Sequence, residues 1–368
     1  MNAFMKQITL RTLCLALLAL LTFAPMQAAH ASEGGGVDVE EIVLGHMADA
    51  YDWHITTWGG KHISLPLPVI VRSERTGEWN IFSSGEMTEA IHHGVADYKG
   101  FYFNEERNGK IYERMPDGTS VRPWDLSITK SVVQIWIVVF VLLAVFLTCA
   151  RWYKKHDVRR ESPRGFICMI EMLVITINDD LIKGSIGEKH YRPYAPYLLT
   201  VFFFIFVTNL LGLLPVFPGG ANVTGNINIT FFLALCTMLA INLFGNKEYW
   251  KEIFWPDVPI FLKAYPLPIM PLIEVFGIIT KPFALMVRLF ANMMAGHAII
   301  LSFASIIFIT WQVNAYIGSG LTVLSFVMML FMNCLEVLVA FVQAYVFTLL
   351  SAVFIGFAHP EHESHHKD

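Results

Sequence analysis

Within the apolar stretch from Pro268 to Ser305 stand Glu274, Lys281, Arg288, Asn292 and His297. Polar and charged side chains in hydrocarbon cost several kcal/mol unless they find a partner or a water-filled cavity, so they are read first as functional. Their spacing is ordered. At about 100° per residue, steps of seven return within about 20° of the starting direction, which sets Glu274, Lys281 and Arg288 on one stripe with Asn292 close by. His297, nine residues beyond Arg288, falls roughly on the opposite side. A second apolar stretch, Ser325 to Phe357, answers with Glu336 and Gln343 seven residues apart on one face. Carboxylates and an imidazole can take up and release protons once burial and mutual contact bring their pKa values toward working pH. A guanidinium keeps its charge near neutral pH and so cannot relay a proton that it blocks. Two neighbouring apolar stretches thus each bear a polar stripe, and the chain's chemistry is expected there. No phosphate-binding loop of the P-loop type accompanies it, so the chain carries no nucleotide site of its own by this reading.

The elements that must position these residues are membrane spans. The chain has 368 residues, of which 55% are hydrophobic, with a mean hydropathy of +0.52, and its apolar residues come in runs long enough to cross a bilayer. One soluble domain is excluded. A net charge of −4, with no basic run interleaved with aromatics, gives no reason to expect a nucleic-acid partner. The five cysteines form no CxxC pair and no metal-ligand spacing, and none falls between Ser32 and Ser127.

Taken in order, residues 1–31 read as a secretory signal peptide: Lys6 and Arg11 precede the short run Leu13 to Phe23, followed by Pro25 and Ala29-His30-Ala31. The alternative, a retained first helix, has only a short run to span with. Residues 32–127 then switch to a mixed, acidic composition. Candidate strands at His62 to Val71 and Gly100 to Phe103, with turn signals at Asn108-Gly109 and Asp117-Gly118, predict a small β-rich extracytoplasmic domain. Its His46, His54, His62, His92 and His93 match no recognised ligand spacing and read as surface residues.

A membrane domain over 128–358 is expected to cross five times, at about 128–150, 197–217, 227–244, 269–305 and 322–357. Arg151, Lys154, Lys155, Arg159, Arg160 and Arg164 crowd the far end of the first span, which places that end in the cytoplasm. Phe166 to Lys183, interrupted by Asn178, Asp179 and Asp180, reads as a surface helix rather than a span. Lys247, Lys251 and Lys263, with Trp250 and Trp255, mark the inner interface again. The tail 359–368, with four histidines, then lies inside as a solvated segment.

Lys281-Pro282 followed by Met286 through His297 (MVRLFANMMAGH) closely resembles the signature helix of subunit a of the F-type ATP synthase. Asn209 to Pro215 (NLLGLLP) is similar to the family's second-span motif, and Glu336 with Gln343 to Thr348 to its last span. The resemblance covers roughly Ile128 to Ala358. It implies an all-α polytopic protein whose two long C-terminal helices face a c-ring, with a peripheral stalk subunit b, the remainder of the synthase and the lipid bilayer as partners, and no cofactor or metal. It also implies roles. Arg288 matches the essential arginine facing the ring carboxylate, and Glu274 and Asn292 match polar residues near it, Glu274 toward the cytoplasmic half-channel. His297 and Glu336 match an interacting pair of the outer half-channel, and Gln343 a glutamine near the arginine.

The function implied is that of a non-catalytic stator subunit with two offset proton half-channels in a bacterial inner membrane, H⁺ being the default ion. Two departures stand out: Ala291 replaces the more familiar Gly between Phe290 and Asn292, and residues 32–127 lie outside the resemblance altogether. The competing class is a self-contained ion channel or secondary transporter, for which paired repeats would speak. No internal repeat is visible. Lys281 pairs with Glu274 or snorkels inward, and its role is left open.

Overall fold

The computed structural model describes residues 49–358 except 59–60, 96, 105–108, 158–160, 215–218, 256–268 and 314. The expected signal peptide and histidine-rich tail lie outside the described residues. Among the described residues, five helices are long and apolar enough to cross a membrane. They are α2 (Lys130–Lys155), α4 (Tyr191–Gly212), α5 (Ile227–Phe244), α7 (Ile269–Val313) and α8 (Ala315–Phe357). Shorter helices are α1 (Ser84–His92), α3 (Phe166–Thr176) and α6 (Lys247–Phe254). With the small β-rich region that precedes α2, this is the architecture of a polytopic membrane protein. The chain divides into two compact units.

The first unit comprises the N-terminal part through Val138, Thr208–Val223 and Met294–Val337. Its β region pairs β1 (Asp52–Trp58) with β2 (Lys61–Pro66), orders a second sheet as β4 (Trp79–Ser83), β3 (Pro68–Arg72), β8 (Trp124–Asp125), and a third as β5 (Phe101–Asn104), β6 (Lys110–Arg114), β7 (Ser120–Val121). The single strand expected over His62 to Val71 is broken at Leu67, because the prolines on either side have no N–H to give a ladder. Leu67 instead exchanges bonds with Ser84, donating to its hydroxyl at 3.0 Å and accepting from its N–H at 3.0 Å. Ser83 caps α1 by accepting from Gly85 N–H. The core gathers Val69, Val71, Phe82, Met87, Phe101 and Ile111. Buried Glu113 ties the β3–β4 connection to β6, accepting from the Ser73 hydroxyl at 2.5 Å and from Glu74 N–H at 2.7 Å. Tyr51 donates to Asp125, and burial together with that carboxylate pushes its phenol above the usual range.

The second unit comprises Val139–Val207, Thr224–Met293 and Leu338 onward. Leu198, Phe202 and Ile205 of α4, Leu285 and Leu289 of α7, and Ala344, Phe347 and Ile355 of α8 form its core. The small residues matter here. Membrane helices approach closely where side chains are small, and a Cβ at Gly356 would run into the carbonyl of Ser185. That carbonyl belongs to the segment after α3, where the polar interruption noted in the sequence becomes a π-helical turn, Ile177–Lys183. The turn buries Ile177, Leu181 and Ile182 while leaving Asp179 and Asp180 exposed. Lys183 and Glu188 pair at 2.7 Å beyond it, the ion pair holding Glu188 below and Lys183 above their ordinary ranges.

Hydroxyl and amide groups along the spans largely satisfy themselves. Thr200, Thr237, Thr348, Ser351 and Asn242 each donate to the carbonyl four residues earlier, at 2.7–3.2 Å, as apolar surroundings require. A polar group in a span that lacks such a partner therefore stands apart.

Candidate functional site

The expected site residues fall into two sets, one in each unit. In the first unit, His297 on α7 points its Nε2 at the carbonyl of Gly212, the last residue of α4, at 3.3 Å. Glu336 on α8 sits against the residue just before that histidine: a Cβ added at Gly296 would coincide with its carboxylate. Two acid–base side chains, from different helices, thus meet one turn of α7. Glu336 is only 3% exposed and its Oε1 has no hydrogen-bond partner in the described structure. An unsatisfied buried carboxylate oxygen is costly, so this group calls for a water molecule or a proton.

Sequence reasoning did not assign Gly296 or Gly212, although both lie in quoted motifs. A Cβ at Gly212 would rest in ordinary contact with Ala221 O at 3.4 Å and with the His297 ring at 3.9 Å. It is at Gly296 that glycine is needed, for close approach rather than for backbone freedom. The Ala221 to Val223 segment completes this region: all three residues are buried, Ala221 N–H donates to Gln134 Oε1 of α2 at 2.9 Å, and Asn222 Nδ2 approaches Met294 Sδ at 3.8 Å. Gln134 is fully buried, and the long gap between positions 134 and 221 hid its connection from sequence reading.

In the second unit the stripe on α7 takes shape differently. Arg288 is exposed, and so are Ala284, Val287, Ala291 and Asn292, which share its side of the helix. Among the described residues no carboxylate lies within ion-pairing distance of Arg288. The small neighbours leave the guanidinium uncovered. Gln343 of α8 is buried, unlike Asn292.

Nearer the start of α7, Glu274 and Lys281 both reach toward Gly277, where an added Cβ would lie 4.0 Å from Glu274 Oε2 and 3.8 Å from Lys281 Nζ. The described structure shows no ion pair between them; Lys281 Nζ lies 5.7 Å from the centre of the Phe354 ring instead. Tyr249 of α6 donates to Asn242 Oδ1 at 3.2 Å. Its phenol is raised above the ordinary range by burial and then by the Glu274 carboxylate. Tyr249, Asn242, Lys281 and Phe354 line one small recess. Tyr249 was visible in the sequence only as part of an aromatic, interfacial segment.

Five spans among the described residues, with a buried carboxylate against Gly296 in one unit and an uncovered arginine in the other, define a polytopic membrane protein. Comparison with known proteins narrows this. A family model described as ATP synthase A chain matches residues 132–356. The chain is 40% identical over 290 residues to a protein of Chlorobium phaeobacteroides named ATP synthase subunit a, covering 75% of this chain and 80% of that one. It is 36% identical over 344 residues to ATP synthase subunit a 2 of Chlorobium luteolum, covering 94% and 91%. A Myxococcus xanthus protein named ATP synthase subunit a is 37% identical over 251 residues, 66% of this chain and 78% of its own. The chain belongs to the ATP synthase subunit a family. Residues 42–126 match a separate model, described as a domain of unknown function.

Proposed function

We propose that this chain is the a subunit of an ATP synthase, acting in ATP synthesis and proton transport, and that it supplies two offset proton half-channels serving a carboxylate on a rotating c-ring. The observation that carries the proposal is Arg288. A permanently charged group midway along a 45-residue apolar helix is exposed and has, among the described residues, no carboxylate within ion-pairing distance. Such a charge needs a partner from outside. A ring carboxylate passing the Ala284, Arg288, Ala291 face would be that partner, held by a bidentate contact and kept ionised while it faces the arginine.

The two sets of site residues then take different roles. His297 and Glu336 exchange protons or order water in the outer half-channel, where Glu336's open oxygen gives a proton or water a place to bind. Glu274, with Asn292 and Gln343, serves the inner half-channel. Because Arg288 cannot deprotonate near neutral pH, a proton must leave by riding the ring rather than by crossing directly. Each charge moved through the full membrane potential contributes about 2.3 kcal/mol per 100 mV. Several protons per ATP are therefore required.

The remaining parts fit one topology. Residues 1–31 act as an export signal, 32–127 stand on the periplasmic side of a bacterial inner membrane, 128–358 form the membrane domain, and the tail 359–368 is cytoplasmic. Lys154 and Lys155 at the end of α2 support this orientation. Besides the c-ring, subunit b of the peripheral stalk is the expected neighbour.

The test is ATP-driven acidification of inverted membrane vesicles, comparing native protein with Arg288→Ala after checking that both complexes assemble. Pumping by the variant is expected to fall to background. Retained pumping would remove Arg288 from the coupling step.

A further inference from the structure

The three-stranded sheet β4-β3-β8 has one face that the fold explains and one that it does not. Val69, Val71 and Phe82 point into the core. On the other face, residues opposite one another form rows: Trp79, Arg72 and Trp124, then Ile81, Ile70 and Leu126. Trp79 is 52% exposed, Ile81 68%, Trp124 66% and Leu126 63%. A soluble surface seldom presents contiguous large apolar side chains in this way without an occupant.

The course of the chain names the occupant. The backbone leaves the last strand at Asp125 and enters the membrane helix α2 at Lys130. No hinge is evident in between: Leu126 and Ile128 donate to the carbonyls of Ile70 and Pro68, Lys130 N–H to Ala50 O, and Ser131 N–H to Asp49 Oδ1, at 2.9–3.3 Å. The sheet is thus fastened to the first turn of the span. At 26 residues α2 is about 39 Å long, against about 30 Å of hydrocarbon, so its first turn lies among headgroups. Extended chain covers at most about 3.3–3.6 Å per residue, which keeps Leu126 within roughly 14 Å of that turn and Trp124 within roughly 21 Å.

We infer that this sheet face, through Trp79, Ile81, Trp124 and Leu126, lies on the lipid surface of the leaflet that α2 enters. Its composition suits that place. Tryptophan concentrates where apolar surroundings meet headgroups, and the middle strand sets Arg72 between the two tryptophans. The Arg72 Nε is already committed to Gly77 O at 3.1 Å, which leaves the terminal nitrogens of its guanidinium for lipid phosphate. The face holds the domain to the bilayer independently of any role in proton transfer.

The experiment uses the full chain in its assembled complex, reconstituted in lipid nanodiscs, with native cysteines replaced by serine. A polarity-sensitive fluorophore is attached at Trp124→Cys, at Ile81→Cys, or at Asp117→Cys on the tip of the β6–β7 hairpin, and quenched with lipids brominated near the headgroup. Labels at 81 and 124 are expected to be quenched several-fold more than the label at 117. Equal quenching at the three positions would overturn the inference. So would blue-shifted but unquenched emission at 81 and 124, which would put a protein partner on the face instead. The two sheet positions report separately, so failure of one variant to assemble leaves the other decisive.

Discussion

Glu336 and Arg288 are both ionisable residues of long apolar helices, yet the chain treats them in opposite ways. Glu336 is enclosed, with the backbone of Gly296 drawn so close that no side chain fits beside it. Arg288 is flanked by Ala284 and Ala291 and left uncovered. A group that exchanges protons with water along a narrow route gains from enclosure, because burial and restricted hydration tune its affinity for the proton. A group that must meet a carboxylate on another, moving subunit gains from small neighbours and an open face. On the function proposed above, the contrast separates a residue that the chain serves itself from one that a partner must complete.

The largest effect within the enclosed set is expected from Glu336→Gln. Removing a proton-exchanging group should slow ATP-driven pumping by about 100-fold or more. Thr348→Val on the same helix, which deletes only a hydroxyl bonded to its own helix at 2.8 Å, should change pumping no more than about threefold, since such bonds contribute about 0.6 kcal/mol in membranes. Similar losses from both would erase the distinction between a served structural group and a functional one. Measurement in inverted vesicles, normalised to assembled complex, decides it.

Next in size is Gly296→Ala. Overpacking of this kind costs about 1–3 kcal/mol, and displacement of the Glu336 carboxylate should lower turnover by about tenfold. Ala291→Gly, which removes a methyl group from the open face, should leave turnover nearly unchanged. If Gly296→Ala pumped normally while Ala291→Gly did not, the enclosure of Glu336 would lose its meaning. Gly356→Ala offers a control of the opposite kind. The same overpacking penalty, about 1–3 kcal/mol, falls there on a backbone carbonyl, Ser185 O, rather than on a carboxylate. It should lower the thermal midpoint or yield of the complex while each assembled complex pumps at the native rate.

Much of this was legible in the sequence. The five spans followed from apolar run lengths, and the candidate site residues were proposed from charge in apolar surroundings, a signal that needs no tertiary information. What the sequence could not convey were approaches across long gaps. Gly212 meets His297 across 85 positions, and Gln134 meets Ala221 across 87; nothing in periodicity encodes such pairs. The broken strand at Leu67 was missed for a different reason. Alternating hydrophobicity from His62 to Val71 favoured one strand, whereas two prolines without N–H groups and the bonds to Ser84 turned the chain there. The N-terminal β region was recognisable as β-rich, but the apolar face turned away from its core appeared only once the register of β3 with β4 and β8 was known.

The most direct test of the central claim asks what covers the Arg288 face in the working complex. A photoactivatable cross-linker would be placed at Ala284→Cys and Ala291→Cys, both exposed beside Arg288, and at Ala340→Cys and Ala344→Cys, both buried within the chain. Native cysteines would be replaced beforehand, and the complex irradiated in its own membrane. Adducts with the ring subunit are expected from positions 284 and 291 and not from 340 and 344. Labelling of lipid alone at 284 and 291 would mean that no ring carboxylate meets Arg288 there, and would contradict the account.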